Sequence, residues 1–325
     1  MASNIAVLGC GAWGSALACI AARAGHGTKI WGRSSETIQE INTKHTNQRF
    51  LGDLKLNPTI EAMTGIDAAL ANSNIILLSV PTQALSSLLA DMKNIAGDTM
   101  LVATCKGIDR ETGKLPHELI GEAFPENPIA ALSGPSFASD VVSGLPTAVT
   151  IASDDAKIAE NLSLLLSTGT FRCYASSDLK GVELGGALKN VLALAVGATR
   201  GMGLGASAEA ALIARGFAEI SRLAVKLGAK PKTLVGLSGL GDLVLTCSSS
   251  QSRNFSYGMA MGQGKSLEGL KLAEGAFTAG VALKLANQAG VEVPVTEAVV
   301  NVLENRVTAK EAVQQLLTRP LKREN

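Results

Sequence analysis

Short unbroken apolar runs alternate with helix-period segments over the first half of the chain. The runs fall at residues 4–8, 28–31, 74–80, 100–104, 129–132, 147–152 and 170–174. Strands covered on both faces of a sheet read this way, because neither face has to be polar. Residues 15–24 and 154–166 between them carry a helical period. The alternation predicts an α/β domain with a doubly wound (Rossmann-type), mainly parallel sheet and a mixed edge. Beyond residue 178 the period is helical nearly throughout, clearest at 208–226, 276–289, 295–303 and 309–317. We therefore expect two domains, residues 1–178 for binding a dinucleotide and 179–325 as an all-α domain for a substrate. A helix rather than a flexible tether should join them, since no linker or low-complexity segment intervenes.

Chemistry enters at the first strand end. Gly9, Gly11 and Gly14 form Gly-x-Gly-x-x-Gly after a strand and before a helix. The first glycine makes the tight turn, the second admits a pyrophosphate to the backbone, and the third lets helix and strand pack closely. The free N–H groups at the helix start favour the phosphate charge. Past the second strand, where an acidic residue would hold the ribose of NAD, stands Arg33. A guanidinium there suits the 2′-phosphate of NADP, with Ser34 and Ser35 as further donors, while Glu36 keeps NAD open. Two later strands deliver Cys105-Lys106-Gly107 and Ser133-Gly134-Pro135-Ser136 to the same carboxyl-end crevice, where ligands bind in open parallel sheets.

The segment joining the halves carries one odd lysine. Lys189 is the only charge between Glu183 and Arg200, and Gly185, Gly186 and Ala193 lie on its helix face. Two readings remain open. Its stem could lie on a core while its head reaches water. Alternatively the ammonium is desolvated, with a lowered pKa, and serves as proton donor and acceptor. Further on, Gly236 to Asp242 is a glycine-dense turn, followed by a polar run through Ser252, Arg253 and Asn254. Such a run is either a solvated loop or a fork of donors for a phosphate ester.

Composition mostly removes options. A net charge of +1 implies no nucleic-acid partner, and 3% aromatic residues leave no base-stacking platform. Cys10, Cys19, Cys105, Cys173 and Cys247 form no Cys-x-x-Cys pair, which points to a reducing compartment and away from zinc. No His, Cys or carboxylate cluster has metal-ligand spacing, so no metal is expected. His26, His45 and His117 read as surface residues at helix ends or in loops. The uncharged stretch 5–22 is long enough to span a bilayer but is rich in glycine and alanine. A soluble cytoplasmic protein is the expectation.

Taken in order, Gly9-Cys10-Gly11-Ala12-Trp13-Gly14, Thr104-Cys105-Lys106-Gly107-Ile108, Leu132-Ser133-Gly134-Pro135-Ser136-Phe137-Ala138, Glu183-Leu184-Gly185-Gly186-Ala187-Leu188-Lys189-Asn190, Gly239-Leu240-Gly241-Asp242, Ser252-Arg253-Asn254 and Glu274-Gly275 make the chain resemble bacterial-type NAD(P)-dependent glycerol-3-phosphate dehydrogenases over essentially its full length. The resemblance implies hydride transfer with NADPH or NADH between dihydroxyacetone phosphate and sn-glycerol 3-phosphate, feeding phospholipid synthesis. It implies that Lys189 is the acid/base at the substrate C2 oxygen, with Lys106 and Asp242 beside it. Gly134, Ser136, Ser252, Arg253 and Asn254 would contact the substrate, and Trp13, Arg33, Lys106, Ala138, Arg253 and Glu274 the cofactor. It also implies a homodimer. Ala12 and Phe50 depart from the serine and tyrosine common in relatives. The rival readings are a two-domain dehydrogenase of a β-hydroxy acid or ketopantoate, and a non-catalytic NAD(P)-sensing module that would need the glycine loop but not Lys189.

Overall fold

The computed structural model describes residues 3–93, 95–267, 270 and 273–320. The first half runs β1 (Asn4–Leu8), α1 (Ala12–Arg23), β2 (Gly27–Trp31), α2 (Ser35–Lys44), α3 (Gln48–Leu51), β3 (Glu61–Met63), α4 (Ile66–Leu70) and β4 (Ile75–Leu78). It continues through α5 (Leu85–Asp91), β5 (Met100–Ala103), α6 (Pro116–Ala123), β6 (Ile129–Ser133), α7 (Ala138–Val142), β7 (Thr147–Ala152), α8 (Ala156–Leu166) and β8 (Phe171–Ser176). These strands form one sheet in the order β3-β2-β1-β4-β5-β6-β7-β8. Pairing is parallel from β3 to β6, β7 runs antiparallel to β6, and β8 is parallel to β7. The expected mixed edge is therefore present. The order reverses between β1 and β4, which opens a crevice at their carboxyl ends.

Both faces of the sheet are covered, which explains the unbroken apolar runs. Ile5 and Val7 of β1 pack with Leu17 and Ile20 of α1, while Ala6 and Leu8 point the other way onto Leu85 and Leu88 of α5 and Ile120 of α6. Strand β3 is a departure from the sequence reading. Its three residues, of which Ala62 alone is buried, are too few to show a period, and it is placed by pairing Lys29, Ile30 and Trp31 of β2.

The second half is helical: α9 (Leu179–Gly201), α10 (Ala206–Lys226), α11 (Pro231–Leu234), a π turn at Leu237–Gly241, α12 (Asp242–Ser248), α13 (Arg253–Gly262), α14 (Glu274–Ala289), α15 (Pro294–Leu303) and α16 (Ala309–Leu317). Asp178 caps α9 by accepting from Gly181 N at 3.0 Å, and holds Lys230 N at 2.9 Å. The rest of the domain wraps α9. Leu184, Leu188 and Leu192 meet Leu223, Leu243, Phe255 and Val281, whereas Val191 and Leu194 meet Tyr257 and Val299. A helix covered on all sides must be apolar all round. That is why α9 is long and apolar enough to cross a membrane while most of it lies inside the domain.

Helix α13 is not among the clearest helical segments of the sequence, being polar and glycine-containing, and its packing gives the reason it forms. A Cβ at Gly197 would overlap Phe255 O, one at Gly258 would overlap Leu194 O, and Gly201 and Gly262 stand likewise against Met259 O and Ala198 O. The two backbones touch through glycines spaced four apart on each helix. The polar stretch after Asp242 divides: it belongs to α12 up to Ser248 and to α13 from Arg253, while residues 249–252 form the turn between them, with Ser250 and Gln251 exposed.

Candidate active site

Two of the glycine loop's expected jobs are visible, and the third has the room it needs. Gly9 adopts φ +120° with Ser79 O against its missing Cβ, and a Cβ on Gly14 would overlap Gly9 O. Around Gly11 the same position is open, and no side chain caps α1. The start of α1 thus has no capping side chain and has room at Gly11, as close approach of a pyrophosphate requires. Trp13 Nε1 is buried without a partner, and Lys106 Nζ lies 5.9 Å from the Trp13 ring. These residues fit a dinucleotide. Arg33 stands exposed after β2, and Ser34 is the N-cap of α2, its hydroxyl accepting from Thr37 N at 3.3 Å.

Three strand and helix ends converge beyond this loop. Lys106, after β5, donates from Nζ to Gly134 O at 2.9 Å, tying its loop to the end of β6. Gly134 holds φ +149° with Val149 Cα 2.8 Å from where a Cβ would be, and Ser136 Oγ donates to Gly134 O at 3.0 Å. Ala138 opens α7, half-buried. Helix α9 approaches this edge because Gly186 leaves room for Ser133 and Lys106, and Gly185 for the π turn at Ser238 and Gly239.

That π turn delivers Asp242 into the interior as the first residue of α12, 2% exposed. Its Oδ1 lies 2.6 Å from Lys189 Nζ and its Oδ2 accepts from Lys106 Nζ at 2.8 Å. Lys189, 5% exposed, also donates to Thr246 Oγ1 at 2.6 Å, so its head does not reach out to water. Burial drives the Lys189 pKa down to about 8; Asp242 resists the fall and Lys106 adds to it. Burial would lift the Asp242 pKa, but the two ammonium groups outweigh it and hold the carboxyl below its ordinary range. Cys247 lines the same pocket, its thiol pushed up to about 12 by burial.

The start of α13 closes the far side. Ser252 is its N-cap, accepting from Phe255 N at 3.2 Å. Asn254 donates to Asn190 Oδ1 at 2.9 Å and accepts from Gly275 N at 2.8 Å, so it ties α9, α13 and α14 together. Asn190 in turn donates to Lys106 O at 2.9 Å. Glu274 begins α14 half-buried; burial raises its pKa, against the charges of Arg253, Lys106 and Lys189. Three cations and two carboxylates therefore act on one another at this site, with Arg253 exposed and, among the described residues, in no ion pair.

Sequence reasoning missed Thr246 and gave Asn190 no task. The available signal was spacing: Asp242 and Thr246 are one helical turn apart and share a face. The histidines are a correction, since all three are at least half-buried. His26 bridges Ser3 N and Leu165 O, and His117 engages the buried Glu183 at 2.5 Å, holding the start of α6 to α9. An interior carboxylate needs such a partner.

Sequence comparison bears on the same residues. The N-terminal description of NAD-dependent glycerol-3-phosphate dehydrogenase matches residues 4–159, and its C-terminal description matches residues 178–314. A glycerol-3-phosphate dehydrogenase [NAD(P)+] of Chelativorans sp. is 51% identical over 99% of this chain and 98% of its own. The chain belongs to the NAD(P)-dependent glycerol-3-phosphate dehydrogenase family. A Brucella canis glycerol-3-phosphate dehydrogenase [NAD(P)+] is 50% identical over the whole of both chains. The solved glycerol-3-phosphate dehydrogenase of Coxiella burnetii superposes with a TM-score of 0.93 at 37% identity, covering 98% of this chain and 99% of that one. Members of this family use NAD or NADP, which agrees with the open cradle at Gly11.

Proposed function

We propose that Lys189 is the acid/base of a glycerol-3-phosphate dehydrogenase reaction in which dihydroxyacetone phosphate and sn-glycerol 3-phosphate are interconverted with NAD(P)H. Gly9, Gly11, Trp13, Gly14, Arg33, Lys106, Ala138, Arg253 and Glu274 would hold the cofactor, which when bound supplies or takes a hydride at substrate C2. Lys189 gives its proton to the C2 oxygen in reduction and recovers it in oxidation. The observation that carries this reading is the buried Lys189–Asp242–Lys106 arrangement. It supplies a proton donor tuned near neutrality, and Asp242 keeps one cationic partner in Lys106 whichever way Lys189 is protonated. Lys106 also offsets negative charge growing on the C2 oxygen.

Arg253, Ser252 and Asn254 begin a helix of ten residues whose N-terminus favours an anion. Together with Lys106 and Lys189 they leave the pocket short of negative charge, which the substrate phosphate would supply; Gly134 and Ser136 line its other side. The glycerol phosphate formed serves phospholipid synthesis. The family resemblance supports a homodimer, and five unpaired cysteines support a reducing, cytoplasmic setting.

Absorbance at the nicotinamide band tests the reaction: dihydroxyacetone phosphate should drive NAD(P)H oxidation, and ketopantoate and β-keto acids should not. Arg253→Ala should raise the KM for dihydroxyacetone phosphate about ten- to a hundredfold, the worth of a charge-assisted contact. Unphosphorylated dihydroxyacetone is the control. An equal loss with both ketones would remove Arg253 from the phosphate site.

A further inference from the structure

The adenosine end of the crevice holds a second arginine that neither the glycine pattern nor the family resemblance assigns. Two structural pins meet at Cys10. On one side Asn47, fully buried, donates from Nδ2 to Cys10 O and to Ser15 Oγ, each at 2.9 Å, and Asn47 is the residue from which α3 starts. On the other side Gly32, at the end of β2, has Cys10 Sγ where a Cβ would stand. Arg49 follows the first pin by two residues and Arg33 follows the second by one. Arg49 and Arg33 therefore lie on different elements, each within two residues of a contact with the same residue of the glycine loop.

The charges agree with this placement. Burial raises the Cys10 thiol pKa, and both Arg49 and Arg33 act against that rise, so each charge reaches the same sulfur. Both side chains are exposed, and among the described residues neither forms an ion pair or a hydrogen bond. Arg49 Cζ lies 5.4 Å from the Phe50 ring, a flat support for a guanidinium. Among the described residues Glu40 makes no ion pair with Arg49; its Oε1 accepts from Thr46 Oγ1 at 2.7 Å and from Gln48 N at 2.9 Å. Two like charges that act on one group repel each other, and an anion between them would relieve the repulsion.

We propose that Arg49 is a specificity-determining residue for 2′-phosphorylated dinucleotides, closing on the 2′-phosphate from α3 while Arg33 closes on it from the end of β2. Phosphate carries enough acceptor oxygens for both guanidinium forks, whereas the ribose hydroxyl of NAD offers neither the charge nor the oxygens. The proposal rests on the reading of this crevice as an NAD(P) site and extends it to a named second contact.

Calorimetric titration with 2′,5′-ADP and with 5′-AMP tests it on the intact protein without turnover. The parent should bind 2′,5′-ADP more tightly. Arg49→Ala and Arg33→Ala should each weaken that binding about tenfold, the range of one charge-assisted contact at an exposed site, and leave 5′-AMP within about twofold. Arg49→Lys should recover part of the loss, having the charge but not the fork. If Arg33→Ala weakens 2′,5′-ADP and Arg49→Ala does not, Arg49 is a surface charge and the proposal fails while the Arg33 assignment stands. Equal losses of both nucleotides in Arg49→Ala would mean that it shapes the loop, which also overturns it. A parent that binds both nucleotides equally would remove both arginines from a 2′-phosphate site and leave the dehydrogenase reading intact.

Discussion

Lys189→Met should lower kcat by about 10²–10⁴-fold while the protein still folds and its cofactor affinity stays within a few-fold. Methionine keeps most of the apolar stem and its contacts inside α9, and deletes the group that titrates. Asp242 retains Lys106 at 2.8 Å, so the substitution leaves no carboxylate wholly unpartnered in the interior. Circular dichroism and single-turnover kinetics on the same preparation separate folding from chemistry. A folded Lys189→Met enzyme that turns over within tenfold of the parent would take Lys189 out of the mechanism and make Lys106 the next candidate.

The largest stability effect is expected where α9 and α13 touch. Gly258→Ala sets a Cβ into Leu194 O, backbone that cannot rotate away, and overpacking of this kind costs about 1–3 kcal/mol or more. Helix propensity works in the opposite direction, favouring alanine over glycine by up to about 1 kcal/mol. Gly280, exposed on α14, isolates that second effect, because nothing lies within 4 Å of its missing Cβ. Denaturant titration should therefore show Gly258→Ala destabilised and Gly280→Ala stabilised by roughly 0.5–1 kcal/mol. Shifts of the same sign at both positions would mean that the contact between the helices does not govern the site. Helix α13 carries Ser252, Arg253 and Asn254, so spreading it from α9 should also weaken substrate binding.

How much of this was legible beforehand depended on whether a signal was local. The strands β1, β4, β5 and β6 announce themselves because burial on both faces forces continuous apolar runs, and Gly9, Gly11 and Gly14 do so because a tight turn admits few other residues. Strand β3 has no such signal: Glu61, Ala62 and Met63 become a strand only through pairing with β2. Helix α13 is not among the clearest helical segments because Gly258 and Gly262 are poor helix formers, and what makes them helical is the backbone of α9, more than fifty residues away. The same division holds in the site. The family resemblance nominated Lys189, Lys106 and Asp242, and the bare sequence could not tell a snorkelling lysine from a buried one. Its burial depends on the π turn, which carries Asp242 inward and packs Ser238 and Gly239 against Gly185. Thr246 was hidden for the opposite reason, standing in a run so polar that it reads as solvated. Arg49 carries no local mark at all; only the pinning of α3 to Cys10 sets it beside the glycine loop.

The pH dependence of kcat/KM in both directions tests the buried lysine most directly, because that ratio reports groups of the free enzyme. Reduction of dihydroxyacetone phosphate needs Lys189 protonated, so its kcat/KM should be level at low pH and fall as pH rises through about 8. Oxidation of sn-glycerol 3-phosphate needs Lys189 neutral, so its kcat/KM should rise through the same pH and level off above it. Mirror-image limbs near 8 in the parent, absent from what activity remains in Lys189→Met, are the expected result; limbs of the same sign in both directions, or a limb near 8 that survives in Lys189→Met, would contradict it.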